Sequence, residues 1–322
     1  MPDIIQFLHP GPEYYISKKT STRYCWNNKF PDGMYFWNSG AHCRKFLRSN
    51  GDYVDKNNNF VQSEELLFWG EWEPCSHFQM LGNPANNPFL PHHIHSPKYC
   101  LKNQGGQNTD PLVFGSNFYY SICNQRGKLL KLSIGTIILF GTNYIKPKDN
   151  SNPCFVLDTV FIVGASTPYS VNGQISGLNQ KPGDILYDIT LSKLGNMSLN
   201  LYTGEKYSNN KNYYSFAPVK KYSQHSQSGF ERAKFYHSEK EDNTYLEGLS
   251  KKTQGWSSIK KNVTHEECQS FWNSLVKKIR SQGFELGVRF DKPPAPEKNS
   301  CCCDENSGSQ NQVQKAKKAG GC

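Results

Sequence analysis

No apolar run in this chain approaches the roughly 20 residues that a membrane-spanning helix needs, so the sequence does not read as a helical membrane protein. Its first residues, MPDIIQFLHPGPEYY, have no basic start followed by an apolar stretch, and the expected compartment is therefore the cytoplasm. A Walker phosphate loop, a Gly-x-Gly-x-x-Gly fingerprint, a Gly-x-Ser-x-Gly elbow and a His-Glu-x-x-His helix are all missing, which argues against the enzyme classes built on them. Hydrophobic residues are scarce at 36%, whereas aromatics reach 13%, so Tyr, Phe and Trp must build much of the core.

Cysteine is not scarce, but an odd total of 11 without a secretory leader weighs against a disulfide scaffold. Cys25, Cys43, Cys75, Cys100, Cys123, Cys154 and Cys268 are scattered and read as small buried hydrophobes. In a cytosolic chain the sequons at Asn196 and Asn262 carry no glycan.

Two short apolar, β-branched runs flank a polar connection within residues 129–164. Gly135, Gly141 and Gly164 bound them, and they are expected to form paired strands at 129–140 and 155–163. Residues 183–191 alternate apolar and polar positions and predict a half-exposed strand. The first hundred residues predict short strands joined by long loops, the stretch from Glu64 to Trp69 being the most regular. One helix stands out. Thr264 and Glu267 have capping-box spacing, and Cys268, Phe271, Trp272, Leu275, Val276 and Ile279 recur at helical period before Gly283. A strand at 284–290 is expected to follow. Pro293, Pro294 and Pro296 then open a polar segment containing Cys301, Cys302, Cys303 and Cys322. These features predict one globular region over 1–292, with a β-rich core at 111–191, and a disordered tail at 293–322.

The fold class is α+β and predominantly β, with one C-terminal amphipathic helix. Residues 132–141, with Gly135-Thr136 opening a strand that ends at Phe140, and the following strand 155–163 resemble the core of PUA-like barrels of the EVE and ASCH type. Thr136 stands where that family commonly has an acidic residue, and Gly183-Asp184 supplies a Gly-Asp pair later. The resemblance implies a PUA-like or related mixed barrel that recognises nucleic acid or a modified nucleotide, often within bacterial defence or nucleotide-modification systems.

Charge adds to this reading. The net charge is +10, and residues 201–262 hold 11 Lys and Arg against 6 Asp and Glu, interleaved with aromatics. Cations neutralise phosphate and rings stack on unpaired bases, so non-catalytic recognition of nucleic acid or a nucleotide is the leading expectation. A solvated basic surface over a Tyr-rich core explains the same composition. Candidate ligand-binding residues are Lys220, Lys221 and Arg232, Trp72 as a stacking ring with Glu71 as an acceptor, and Asp158, whose charge inside an apolar strand requires a partner. The alternative is a metal-assisted hydrolase or nuclease using the loop from His92 to His95. His93 and His95 would share one side of a strand, and Cys75 and His77 could complete a tetrahedral zinc site, although the spacing matches no zinc module. A third reading is an interaction module localised by its tail, whose cysteines could accept lipid or undergo oxidation.

Overall fold

The computed structural model describes residues 1–9, 11, 35–37, 43–82, 87, 89–98, 109–144, 152–238 and 244–294. The chain begins with strands β1 (Ile4–Leu8), β2 (Tyr35–Trp37), β3 (Arg44–Val54), β4 (Phe60–Glu71), β5 (Ser76–Met80), β6 (His93–Pro97) and β7 (Tyr119–Tyr120). Its middle holds β8 (Ile137–Tyr144), β9 (Cys154–Val171), β10 (Ile175–Ser176), helix α1 (Ile185–Ile189) and β11 (Met197–Gly204). Then come β12 (Ala217–Lys221), α2 (Tyr222–His225), β13 (Ala233–Tyr236), β14 (Gly255–Lys260), α3 (His265–Ser281) and β15 (Glu285–Phe290).

These strands form two sheets. The first runs β14-β1-β8-β9-β11-β7, with β10 and β13 also paired to β9. The second runs β15-β12-β4-β3-β6-β5-β2, with β15 also reaching β3. The chain is therefore predominantly β, as its sequence predicts, but no closed barrel is formed among the described residues. No described helix is long and apolar enough to cross a membrane.

The central strands of the first sheet are apolar on both faces because both are covered. Ile5, Phe7, Ile138, Phe140, Phe161 and Val163 meet Leu47, Leu66, Phe68 and Trp72 in one core. On the opposite face Ile4, Leu8, Ile137, Leu139, Val160 and Ile162 share a second core with Phe46, Leu67 and Trp69. Helix α3 adds Cys268, Trp272, Leu275, Val276 and Ile279 to that second core. The expected helix is thus present, with a reciprocal capping box between Thr264 and Glu267. Gly283 follows at φ +76° and turns the chain into β15.

The two apolar runs do pair, antiparallel, as β8 and β9. Their limits differ from expectation. Residues 127–130 form a 3-10 turn, and Gly135 takes φ +86°, so a strand can begin only beyond it. β8 instead continues through Gly141 to Tyr144, and β9 extends past Gly164 to Val171. The expected strand at 183–191 is a correction: Asp184 accepts from the amides of Leu186 and Tyr187, caps α1, and lets Ile185, Leu186 and Ile189 bury one helical face. The N-terminal region is not built of short strands alone, since β3 and β4 pair as a long hairpin. Cys25, Cys100, the tail cysteines and everything beyond Pro294 lie outside the described residues.

Candidate functional site

Register creates the most charged part of the interior. Arg44 opens β3 and Glu71 closes β4, and the two are directly paired, so both side chains leave the same face of the second sheet. Across from them, the pairing of β8 with β9 steps from Phe140 opposite Thr159 to Gly141 opposite Leu157, leaving Asp158 as the extra residue of a bulge. Gly141 is required there, because a Cβ would strike the Val156 carbonyl oxygen and lie 2.6 Å from the Phe155 ring.

The bulge delivers Asp158 to two guanidinium groups. Arg44 Nε lies 3.1 Å from Asp158 Oδ2, while Arg232 Nη1 donates to Oδ1 at 3.0 Å. Arg44 Nη1 donates to Glu71 Oε2 at 2.6 Å, and His9 Nδ1 stands 3.2 Å from the same oxygen. Arg232 also donates to Thr142 Oγ1 at 3.1 Å and to the Tyr144 hydroxyl at 2.9 Å, with its guanidinium over the Trp69 ring. Glu71, Arg44, Asp158 and Arg232 therefore alternate in sign along one chain that joins the two sheets, and all four are buried.

Electrostatics follows from this enclosure. Burial, then the Arg44 cation, pushes His9 down to about 4 despite the neighbouring Glu71, so its ring is neutral. Burial works against the Arg232 charge too, but Asp158 and Tyr144 more than offset it and its pKa is raised. Asp110 accepts from the amides of Ser121, Ile122 and Cys123, yet burial pushes its carboxyl up to about 6.

Beside Arg44 a small recess opens, lined by Arg44, Lys45, Trp69, His92, His93 and His95, with Phe46 and Pro91 as apolar wall. Among the described residues no acidic side chain lines it. It has room for about one water-sized group. Arg44 is the shared member of recess and ion chain, and its Nη2 is buried without a hydrogen-bond partner among the described residues. Lys45 Nζ donates to the Trp72 carbonyl.

The sequence-derived candidates are divided by this arrangement. Glu71, Asp158 and Arg232 come together through Arg44. Trp72 does not join them as a stacking ring: it is fully buried, its indole N–H donates to the Cys75 carbonyl at 2.8 Å, and it packs edge-on to Phe114. Lys220 and Lys221 lie on β12, with Lys220 over the Phe284 ring at 4.7 Å and Lys221 near Tyr53.

The four metal candidates do not converge. His93 and His95 share a face of β6, but His77 pairs with Ser96 and so points to the other side of the sheet. His95 Nδ1 lies 2.7 Å from Ser76 Oγ, and Cys75 Sγ is 3.6 Å from the Lys98 carbonyl oxygen. No group of three or more potential ligands is assembled among the described residues. Many aromatics of 201–262, including Tyr202, Tyr214, Phe216, Phe230 and Phe235, are core side chains rather than a ligand platform.

Sequence reasoning missed His9, Arg44 and Lys45. A signal was present in Arg44-Lys45-Phe46-Leu47, where two cations stand directly before two apolar residues and need partners if they are buried with them. No protein-family model, curated protein or solved structure matches the chain.

Proposed function

We propose that this protein recognises a phosphate-bearing ligand, a nucleic acid or a nucleotide, without transforming it, and that one oxygen of a phosphate reaches into the recess beside Arg44. The observation that carries this reading is the Nη2 donor of a buried arginine, without a partner among the described residues, at a recess whose described lining holds cations and imidazoles and no carboxylate. Glu71 and Asp158 hold the guanidinium in place, and its remaining Nη2 donor suits a single phosphate oxygen. The recess is too small for a base, so bases would lie outside it and sequence preference would be weak. The PUA-like resemblance of residues 132–141 and 155–163 points to the same ligand class.

The test is binding of a single-stranded oligonucleotide, a nucleoside 5′-monophosphate and inorganic phosphate at several salt concentrations, read through the fluorescence of tryptophan, of which Trp69 lines the recess. Affinity should fall with rising salt, and Lys45→Met should weaken it while thermal melting reports whether the fold is retained. Absence of binding by all three probes to the wild-type protein at low salt would refute the reading.

A further inference from the structure

Far from the recess, the other end of the β3-β4 hairpin carries an open aromatic ring. Phe60 begins β4 directly opposite Val54, the last residue of β3. Directly paired residues share a face of the sheet, and Val54 lies in the second core, so the Phe60 ring leaves on that side, at the rim where the core ends. There it lies flat on Tyr207, with ring centroids 5.1 Å apart and planes 13° apart. Tyr207 in turn meets the edge of Tyr214, and Tyr214 meets Trp272 of α3, so the stacked pair is braced from beneath by buried rings. Phe60 nevertheless remains 42% exposed. Tyr207 covers one face of the ring, and the exposure belongs to its other face and edge.

The platform is rigid. Asp55 Oδ1 accepts from the amides of Asn57 and Asn59 at 2.8 Å, closing the turn that precedes Phe60. Arg280 of α3 pins the same turn, donating to Asn58 Oδ1 at 3.0 Å and to the Asp55 carbonyl at 2.8 Å. A flat ligand therefore meets a surface that needs little ordering. Lys56 in the turn and Lys206 next to Tyr207 are exposed, whereas the Asp55 carboxylate is taken up by the turn and Glu205 lies 3.2 Å from Lys211. An open ring with exposed cations at its side matches an unpaired base on a phosphodiester chain. A duplex keeps its bases stacked on one another and offers no free face to the ring.

Resting on the reading above, we infer that Phe60, backed by Tyr207, is a stacking site for an unpaired base, and that the nucleic acid recognised is single-stranded. The site is separate from the recess. Arg44 pairs with Glu71 at one end of the hairpin and Val54 with Phe60 at the other, which places roughly 30 Å of strand between them, so a mononucleotide reaches at most one of the two.

The test is fluorescence anisotropy of a labelled oligothymidylate with the full chain at one fixed low salt concentration, beside a duplex of the same strand. Phe60→Ala should weaken binding of the single strand by about 5- to 150-fold. Phe60→Leu keeps an apolar side chain without a π face and should lose affinity in the same direction, with thermal melting confirming that the exposed position leaves the fold intact. Phe60→Trp should bind at least as tightly as wild type, and its added indole should be quenched by the stacked base. Unchanged affinity in Phe60→Ala and Phe60→Leu would overturn the inference while leaving nucleic-acid recognition intact, as would equal losses for strand and duplex or an added indole that is not quenched. No binding of either probe by the wild-type protein would remove the underlying reading itself.

Discussion

Replacing Asp158 by Ala is the sharpest test of the ion chain. The wild-type set balances two cations, Arg44 and Arg232, with two anions, Glu71 and Asp158. Removal of Asp158 leaves Arg44 with Glu71 and leaves Arg232 with only the Thr142 and Tyr144 hydroxyls as the partners described above. At an effective dielectric near 20, each lost pair at these separations is worth about 4 kcal/mol, and recovered desolvation of the carboxylate cancels part of the total. The expected loss is about 3–5 kcal/mol, the range found when one partner of a buried pair is removed. In thermal melting this corresponds to a drop of roughly 6–20 °C. Urea titration with linear extrapolation gives the free energy directly, and an unchanged slope would show that the unfolded state is not the cause. The double variant Asp158→Leu, Arg232→Met removes both charges and should lose less than the sum of the single changes, because neither charge is left stranded. Additive losses, or a single-variant loss under about 1 kcal/mol, would refute a coupled buried pair.

Three further outcomes are expected. Between pH 6.5 and about 4 the unfolded chain takes a proton at His9 that the folded chain refuses, so this group costs stability as pH falls through that window, by up to about 3 kcal/mol, and no further below it. His9→Gln should therefore gain stability relative to wild type over the same window, and parallel pH profiles in denaturant titrations would contradict the assignment; Asp110, with its carboxyl raised to about 6, acts in the opposite direction from pH 6 to 3.8 in both proteins. Gly141→Ala should destabilise by about 1–3 kcal/mol or more, since its Cβ has no room beside Val156 and Phe155, and a neutral result would show that the bulge can relax. Phe161→Ala, at a fully buried ring in the first core, should lose about 3–5 kcal/mol in the same titration.

Helix α3 was legible because local signals agreed: Thr264 and Glu267 cap it, and its buried residues keep a single period. The strands near 137 and 155 were legible as apolar runs, but their ends depended on a positive φ at Gly135 and on β9 continuing past Gly164, neither of which composition reveals. Residues 183–191 misled because five helical residues give too short a sample to separate period two from period 3.6, and the informative feature was Asp184 as a cap. At the site, Asp158 could be marked because a carboxylate in an apolar strand needs a partner. Its partner Arg44 could not be chosen, because that pairing depends on a bulge and on two sheets meeting across more than a hundred residues of chain. Trp72 shows the converse: composition cannot tell a core indole from a stacking platform.

The position of β1 bears on how the chain can be synthesised. Ile4 pairs with Ile137 on one side and with Lys260 on the other, so β1 is flanked by one strand about 130 residues later and another roughly 250 residues later in the chain. At roughly 5–20 residues per second, the apolar segment Ile4–Leu8 waits on the order of tens of seconds before its second neighbour emerges. Until β8 emerges it has neither neighbour, and from then until β14 follows it is an unsatisfied sheet edge with buried-type side chains on both faces. Folding during translation therefore places a demand for protection on β1, and a ribosome stalled before β14 would present a nascent chain in which β1 lacks one of its two neighbours.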